Sequence, residues 1–181
     1  DMGRLVRSND DLTAEFEKGI TGLIDRLLQS ESPETTEFLK AFEHFIYEYG
    51  SRGPNEWEAR SPSWETRPEL ALNAIDRMRL AGDELAPKTQ NAERATQREQ
   101  AATELLSIVE ADPEVHGELA VGIAASAAWL PARERTKTNN IRLIHEMRMI
   151  MRAIGARMVE KNAFDEIEDF GFVTEEEYAS L

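Results

Sequence analysis

"ARERTKTNNIRLIHEMRMIMRAIGARMVEKNAF", residues 132–164, is the stretch whose reading decides the fold class. At about 100° per residue it puts Leu143, Ile144, Met147, Ile150, Met151, Ile154 and Met158 on one side. Arg135, Arg142, His145, Arg148 and Arg152 gather near the other side. This sorting predicts a single long amphipathic helix of roughly 30 residues, longer than most globular helices. Its apolar side is expected to be the packed one, with Met147, Met149, Met151 and Met158 as ordinary packing rather than a plastic pocket. Its basic side is expected to pair with the chain's own carboxylates in preference to a phosphorylated ligand.

Outward from this helix the same period recurs. "LAVGIAASAAWL", 119–130, continues a helix opened by Pro113 through Leu119, Ile123 and Ala127 to Trp129, and its small residues would let a neighbouring helix come close. Pro131 predicts a kink or a separation before the long helix. Residues 91–110 are rich in Ala, Glu, Arg and Gln, with good helix propensity and a first half expected to be exposed. Pro68 can start a helix burying Leu70 or Ala71, Leu72, Ile75, Met78 and Leu80, and Gly82 ends or bends it. Ser32 and Pro33 read as N-cap and first residue of a helix carrying Phe38, Phe42, Phe45, Ile46 and Tyr49 to a stop at Gly50.

Residues 9–30 read as one uninterrupted helix, with Leu12, Phe16, Ile20, Leu23, Ile24, Leu27 and Leu28 on one face. At the far end Phe170 to Val173 breaks the helical period as an extended snippet, and Thr174 with Glu177 has the spacing of a capping box. The expectation is an all-α, antiparallel bundle of about six helices, one of them long and C-terminal, forming a single domain over 1–181.

Lys plus Arg is 21 and Asp plus Glu is 35, a net charge of −14, which argues against nucleic acid and anionic membranes as partners. There is no cysteine, so disulfides and thiolate metal sites are excluded, as fits a reducing cytoplasm. The longest apolar run falls short of the roughly 20 residues of a membrane span. A soluble cytoplasmic protein is expected, and the opening at Asp1 suggests a piece cut from something longer.

Chemistry-bearing motifs are scarce. There is no nucleophile elbow, no G-x-x-x-x-G-K-S/T and no G-x-G-x-x-G. His44, His116 and His145 lie on separate predicted helices without a second ligand at matched spacing, so no metal site and no catalytic residue is expected. The unusual segment is "YGSRGPNEWEARSPSWETRP", 49–68, which spends Trp57 and Trp64 on a loop. Gly53-Pro54 predicts a turn, Ser61-Pro62 and Arg67-Pro68 hold the return path extended, and Arg52 and Glu56, four apart, are placed to pair. Such a loop can fold down as a flap, its indoles covering a core edge.

This loop resembles the Y-G-h-R-g-p-x-E signature, with its following P-x-W-x-e-x-P, from the central helical region of phosphoenolpyruvate-utilising enzymes of the PEP synthase and rifampicin phosphotransferase type. Tyr49, Gly50, Arg52, Gly53, Pro54, Glu56, Pro62, Trp64 and Pro68 carry the match. Downstream, Arg133, Glu134, Gly155, Asp169, Thr174 and Glu177 match a second signature in the right order, so the resemblance covers roughly 38–178. Ser51 stands where the signature has histidine, and Gly171 where it has an aromatic residue.

The resemblance implies a middle piece between an ATP-grasp domain and a swivelling phosphohistidine domain, in a parent that uses ATP and Mg²⁺ to phosphorylate an acceptor. No ATP-grasp or phosphohistidine motif occurs in this chain, which alone is expected to be catalytically inert. If it binds a small-molecule acceptor, the expected site is the side of the long helix facing the tryptophan loop. Met147 and Met151 would line it, Trp57 and Trp64 wall it, and Arg52 or Arg133 anchor polar groups. Tyr49, Gly50, Gly53, Pro54 and Glu56 would be its structural frame. The alternative is a stand-alone helical adaptor that binds a protein partner.

Overall fold

A computed structural model describes residues 2–82 and 86–178, apart from the side chains of Lys88 and Tyr178. Asp1, on which the reading of a cut piece rested, lies outside the described residues. The described chain is all-helical and contains no strand. In order it forms α1 (Met2–Arg7), α2 (Asp10–Glu17), α3 (Leu23–Leu28), α4 (Pro33–Tyr49), α5 (Glu69–Leu80), α6 (Pro87–Ile108), α7 (Pro113–Glu160), a 3-10 helix (Ile167–Phe172) and α8 (Glu175–Tyr178).

Several helix ends sit where local chemistry puts them. Ser32 Oγ accepts from the Thr35 amide at 3.4 Å, and α4 stops at Tyr49 with the Gly50 amide bonded to the Ile46 carbonyl. Thr174 and Glu177 exchange the two bonds of a capping box at 2.9 and 3.3 Å.

Three details differ from the sequence reading. The helix expected over 9–30 is broken between α2 and α3, because Gly19 and Gly22 adopt φ of 95° and 68° and turn the chain. Arg26 then laces the turn, donating to the carbonyls of Glu15, Gly19 and Thr21 and to the Glu15 carboxylate. Second, α7 runs through Pro131 as one helix of 48 residues, since a proline removes a single amide donor and the surrounding turns keep their bonds. Third, the expected extended snippet at 170–173 is the end of a 3-10 helix, with Asp169 accepting from the amides of Asp165 and Glu166 at 3.0 Å.

Two groupings of residues form separate units. The first comprises Asp1–Ala41 and Leu72–Thr136. Its core is Val6, Leu12, Phe16, Leu23, Leu27, Phe38, Leu72 and Ile75, with Phe16 and Phe38 edge to face at 5.5 Å. Met78 and Leu80, expected inside, are 49% and 71% exposed. α6 is exposed along most of its length, as its polar composition requires.

The second unit comprises Phe42–Ala71 and Lys137–Leu181. Here the long helix departs from the expected sense in part: Ile144, Met151, Ile154 and Met158 of its apolar side are half-buried and Arg142 of its basic side is exposed, but the most deeply buried positions lie elsewhere. Ile141, His145, Arg148 and Gly155 are its buried residues, whereas Leu143, Met147 and Ile150 are 65%, 56% and 61% exposed. The physical reason is the loop at 50–68, whose backbone carbonyls offer Arg148 the hydrogen bonds that let its guanidinium be buried.

Candidate functional site

The tryptophan loop is closed at its neck by backbone bonds, Trp64 amide to Arg52 carbonyl at 2.8 Å and Glu65 amide to Gly50 carbonyl at 3.0 Å. A β-carbon on Gly53 would sit 2.7 Å from the Pro62 carbonyl oxygen, so the two limbs of the loop meet only because residue 53 is glycine. Trp64 covers a core edge, its ring 5.1 Å from Phe45, which also contacts Tyr49 at 5.6 Å. Trp57 instead remains 54% exposed.

The pair expected from spacing is present in bidentate form: Arg52 Nε and Nη2 bind Glu56 Oε2 and Oε1 at 2.5 and 3.1 Å. Lys137 Nζ reaches Glu56 Oε1 at 2.8 Å, and Arg52 Nη1 donates to Thr138 Oγ1 at 3.2 Å. Burial pushes the Glu56 carboxyl up, but the bonds from Arg52 and Lys137 outweigh it and hold the group below its ordinary value.

Beneath the loop lies Arg148, 1% exposed. Its Nε donates to the Ala59 carbonyl at 3.0 Å, and its Nη2 to the carbonyls of Glu56 and Glu58 at 3.2 and 3.1 Å. Nη1 meets His145 Nδ1 at 2.9 Å, and His145 Nε2 meets Glu65 Oε2 at 3.0 Å. A guanidinium can only donate, so Nδ1 accepts, the imidazole proton is on Nε2, and Glu65 receives it. His145 therefore has no lone pair left to act as a base. Two of the other basic residues pair as the sequence suggested, Arg142 with Glu48 at 3.5 Å and Arg152 with Glu168, and Arg135 is exposed. Arg60 reaches across to lie over the Phe172 ring, 3.8 Å from its centre.

Of the residues singled out for acceptor binding, Arg52, Trp57 and Trp64 line one cavity of about 400 Å³ together with Gly53, Glu56 and Lys137. Met147 and Met151 do not line it, because the helix turns His145 and Arg148 to the loop and leaves Met147 outward. Arg133 is exposed and pairs with Glu134 at 2.8 Å. Tyr49, Gly50 and Pro54 do not line this cavity, and the carbonyls of Tyr49 and Gly50 accept from the amides of Arg52 and Glu65.

The first unit holds a feature the sequence reading did not identify. Between α6 and the first half of α7 is an apolar groove of about 810 Å³. Leu105, Leu119, Ile123 and Leu130 form its walls, and Arg98 and Ser126 are among its few polar groups. The small residues at Ala101, Ala102, Gly122 and Ala127 leave the space open, and that run of small residues was the available signal. The lining is predominantly apolar, and the groove is open to solvent, with Leu105 and Leu130 49% and 59% exposed. Among the described residues no group of His, Asp and Glu is arranged to hold a metal.

Residues 1–134 match the family described as "Rifampicin phosphotransferase fourth domain". Comparison with curated proteins finds no match. The matched segment contains the entire apolar groove and the whole tryptophan loop but stops short of Lys137 and Arg148. On this evidence, which spans well over half of its length, the chain belongs to the rifampicin phosphotransferase fourth-domain family.

Proposed function

We propose that this chain is the helical middle domain of an ATP-dependent phosphotransferase, and that the groove between α6 and α7 receives the acceptor. Family membership implies flanking domains. In this reading they are an ATP-grasp domain, which carries ATP and Mg²⁺, and a swivelling phosphohistidine domain, and this chain links them. The observation that carries the acceptor role is the coincidence of the groove with the family match: all of its lining, from Arg98 to Pro131, falls within residues 1–134. By contrast, the cations of the tryptophan cavity are already bound by Glu56, so that cavity serves chiefly to lock the loop.

The exposed row of Leu143, Met147 and Ile150 supports the linking role, because aligned apolar residues on a monomer usually mark a covered surface. A flanking domain of the same polypeptide is its assigned cover. No helix among the described residues is long and apolar enough to cross a membrane.

The acceptor reading is tested by equilibrium dialysis of the full chain against rifampicin, the acceptor in the family's name. Saturable binding is expected, weakened at least about tenfold by Ile123→Glu, which places a charge in the groove wall. Binding that is absent, or unchanged in the variant, overturns the groove assignment.

A further inference from the structure

No described residue of the hairpin that runs from Pro87 along α6 and back along α7 to Pro131 is buried. Arg94, Arg98, Ala101, Leu105 and Ile108 recur at three- and four-residue spacing along one side of α6, and all five are exposed. Val115, Leu119, Gly122, Ser126 and Leu130 form the matching row of α7. Members of both rows line the apolar groove, so the rows share one face. Two helices that hide no apolar residue between them gain little from packing, and an open two-helix layer lacks the second layer against which such faces are buried.

The charges along the hairpin say what that second layer is. No lysine or arginine lies between Arg98 and Arg133, whereas Glu99, Glu104, Glu110, Asp112, Glu114 and Glu118 do, so the turn end is acidic. The open end carries Arg94 and Arg98 on the shared face, and neither forms an ion pair with another described residue. A face that is apolar in the middle, basic at one end and acidic at the other complements itself when turned end for end. A two-fold axis across it at Ala101 and Gly122 sets Arg98 of one copy opposite Glu104 and Leu105 of the second copy, and Leu130 opposite Val115. The residues on that axis are small, which lets the helices approach closely.

We propose that this face pairs with the same face of a second copy of the chain, the two hairpins forming an antiparallel four-helix bundle. The pairing does not rest on the acceptor reading. It covers the groove, so an acceptor enters the unpaired form.

The test is sedimentation equilibrium of the full chain without rifampicin, over a dilution series from about 100 μM. A reversible dimer of twice the 20.5 kDa chain mass is expected. Arg98→Glu and Glu104→Arg each set like charges against one another and should weaken the dimer about tenfold or more. Mixed in equal amounts the two variants should recover it, since each then meets the opposite charge. Positions 98 and 104 do not face each other on one helix, so the recovery has to arise between chains. Both side chains are exposed, so both variants keep the fold. A mass that stays at 20.5 kDa throughout overturns the pairing and leaves the face to another domain of the polypeptide. A dimer that neither variant weakens, or that mixing does not restore, overturns it as well. A monomer that binds rifampicin saturably sinks the pairing alone, whereas a dimerising chain that never binds it sinks the acceptor reading alone.

Discussion

Arg148 donates from Nη1 to Nδ1 of His145 at 2.9 Å, and this bond joins the long helix to the tryptophan loop on one side and to Glu65 on the other. A guanidinium that is 1% exposed and has three loop carbonyls as its other acceptors behaves as a peg. Burial, then the neighbouring charge of Arg152, lowers its pKa, with Glu58 opposing, but an arginine stays charged throughout the ordinary pH range.

Replacing that peg should therefore be costly. Arg148→Met keeps the stem's packing and strands the three carbonyls and Nδ1, for an expected loss of about 3 kcal/mol in urea unfolding. Arg148→Lys, with three donors in another geometry, should recover only part of it. A loss below about 0.5 kcal/mol in Arg148→Met would contradict the peg.

The uneven burial along α7 gives a paired prediction. Ile141 is fully buried and Leu143 is 65% exposed, although both are aliphatic and two residues apart. Ile141→Ala should destabilise the chain by about 2–5 kcal/mol. Leu143→Ser should stay within about 0.5 kcal/mol. The opposite ranking by thermal denaturation would restore the sense read from periodicity.

Acid should loosen the loop and the C-terminal segment. Glu56 lies below its ordinary value, bonds to Arg52 and Lys137 outweighing burial, and so does Glu168, chiefly through its bond from Arg152. A carboxylate depressed in the folded state adds stability that is full above its unfolded pKa of about 4.3 and is lost as pH falls through the lower, folded value. Stability measured from pH 6 downward should therefore drop below about pH 4.3, and Glu56→Gln should be less stable at pH 6 with a shallower acid limb. An unchanged limb in the variant would remove Glu56 from the account.

Gly155 marks a close backbone approach between α7 and the 3-10 helix. A β-carbon there would overlap the Ile167 carbonyl oxygen and stand 3.1 Å from its carbon. Because the obstacle is backbone, Gly155→Ala should cost roughly 1–3 kcal/mol despite the higher helix propensity of alanine, as read by chemical unfolding. A stabilised variant would show that the two segments are free to separate.

Much of this architecture was legible in advance, and what was not has identifiable causes. Ser32, Pro33, Gly50, Thr174 and Glu177 act through local bonds and marked their helix ends correctly. The break at Gly19 and Gly22 was overridden by a strong apolar period on both sides of it. Periodicity separated the two faces of α7 but could not say which would be inside, because the loop carbonyls that receive Arg148 are some 90 residues away in sequence. Arg52, Trp57 and Trp64 were foreseen together since they share one loop, whereas the groove between α6 and α7 depends on what small residues leave empty.

The most direct test of the central claim is the intact mass of the native gene product in cell extract, captured with an antibody to this chain and assayed for ATP-dependent labelling of a histidine. The account predicts a product several times larger than this chain that carries the label. A product of this chain's own size, without label, would contradict it and favour a stand-alone helical adaptor.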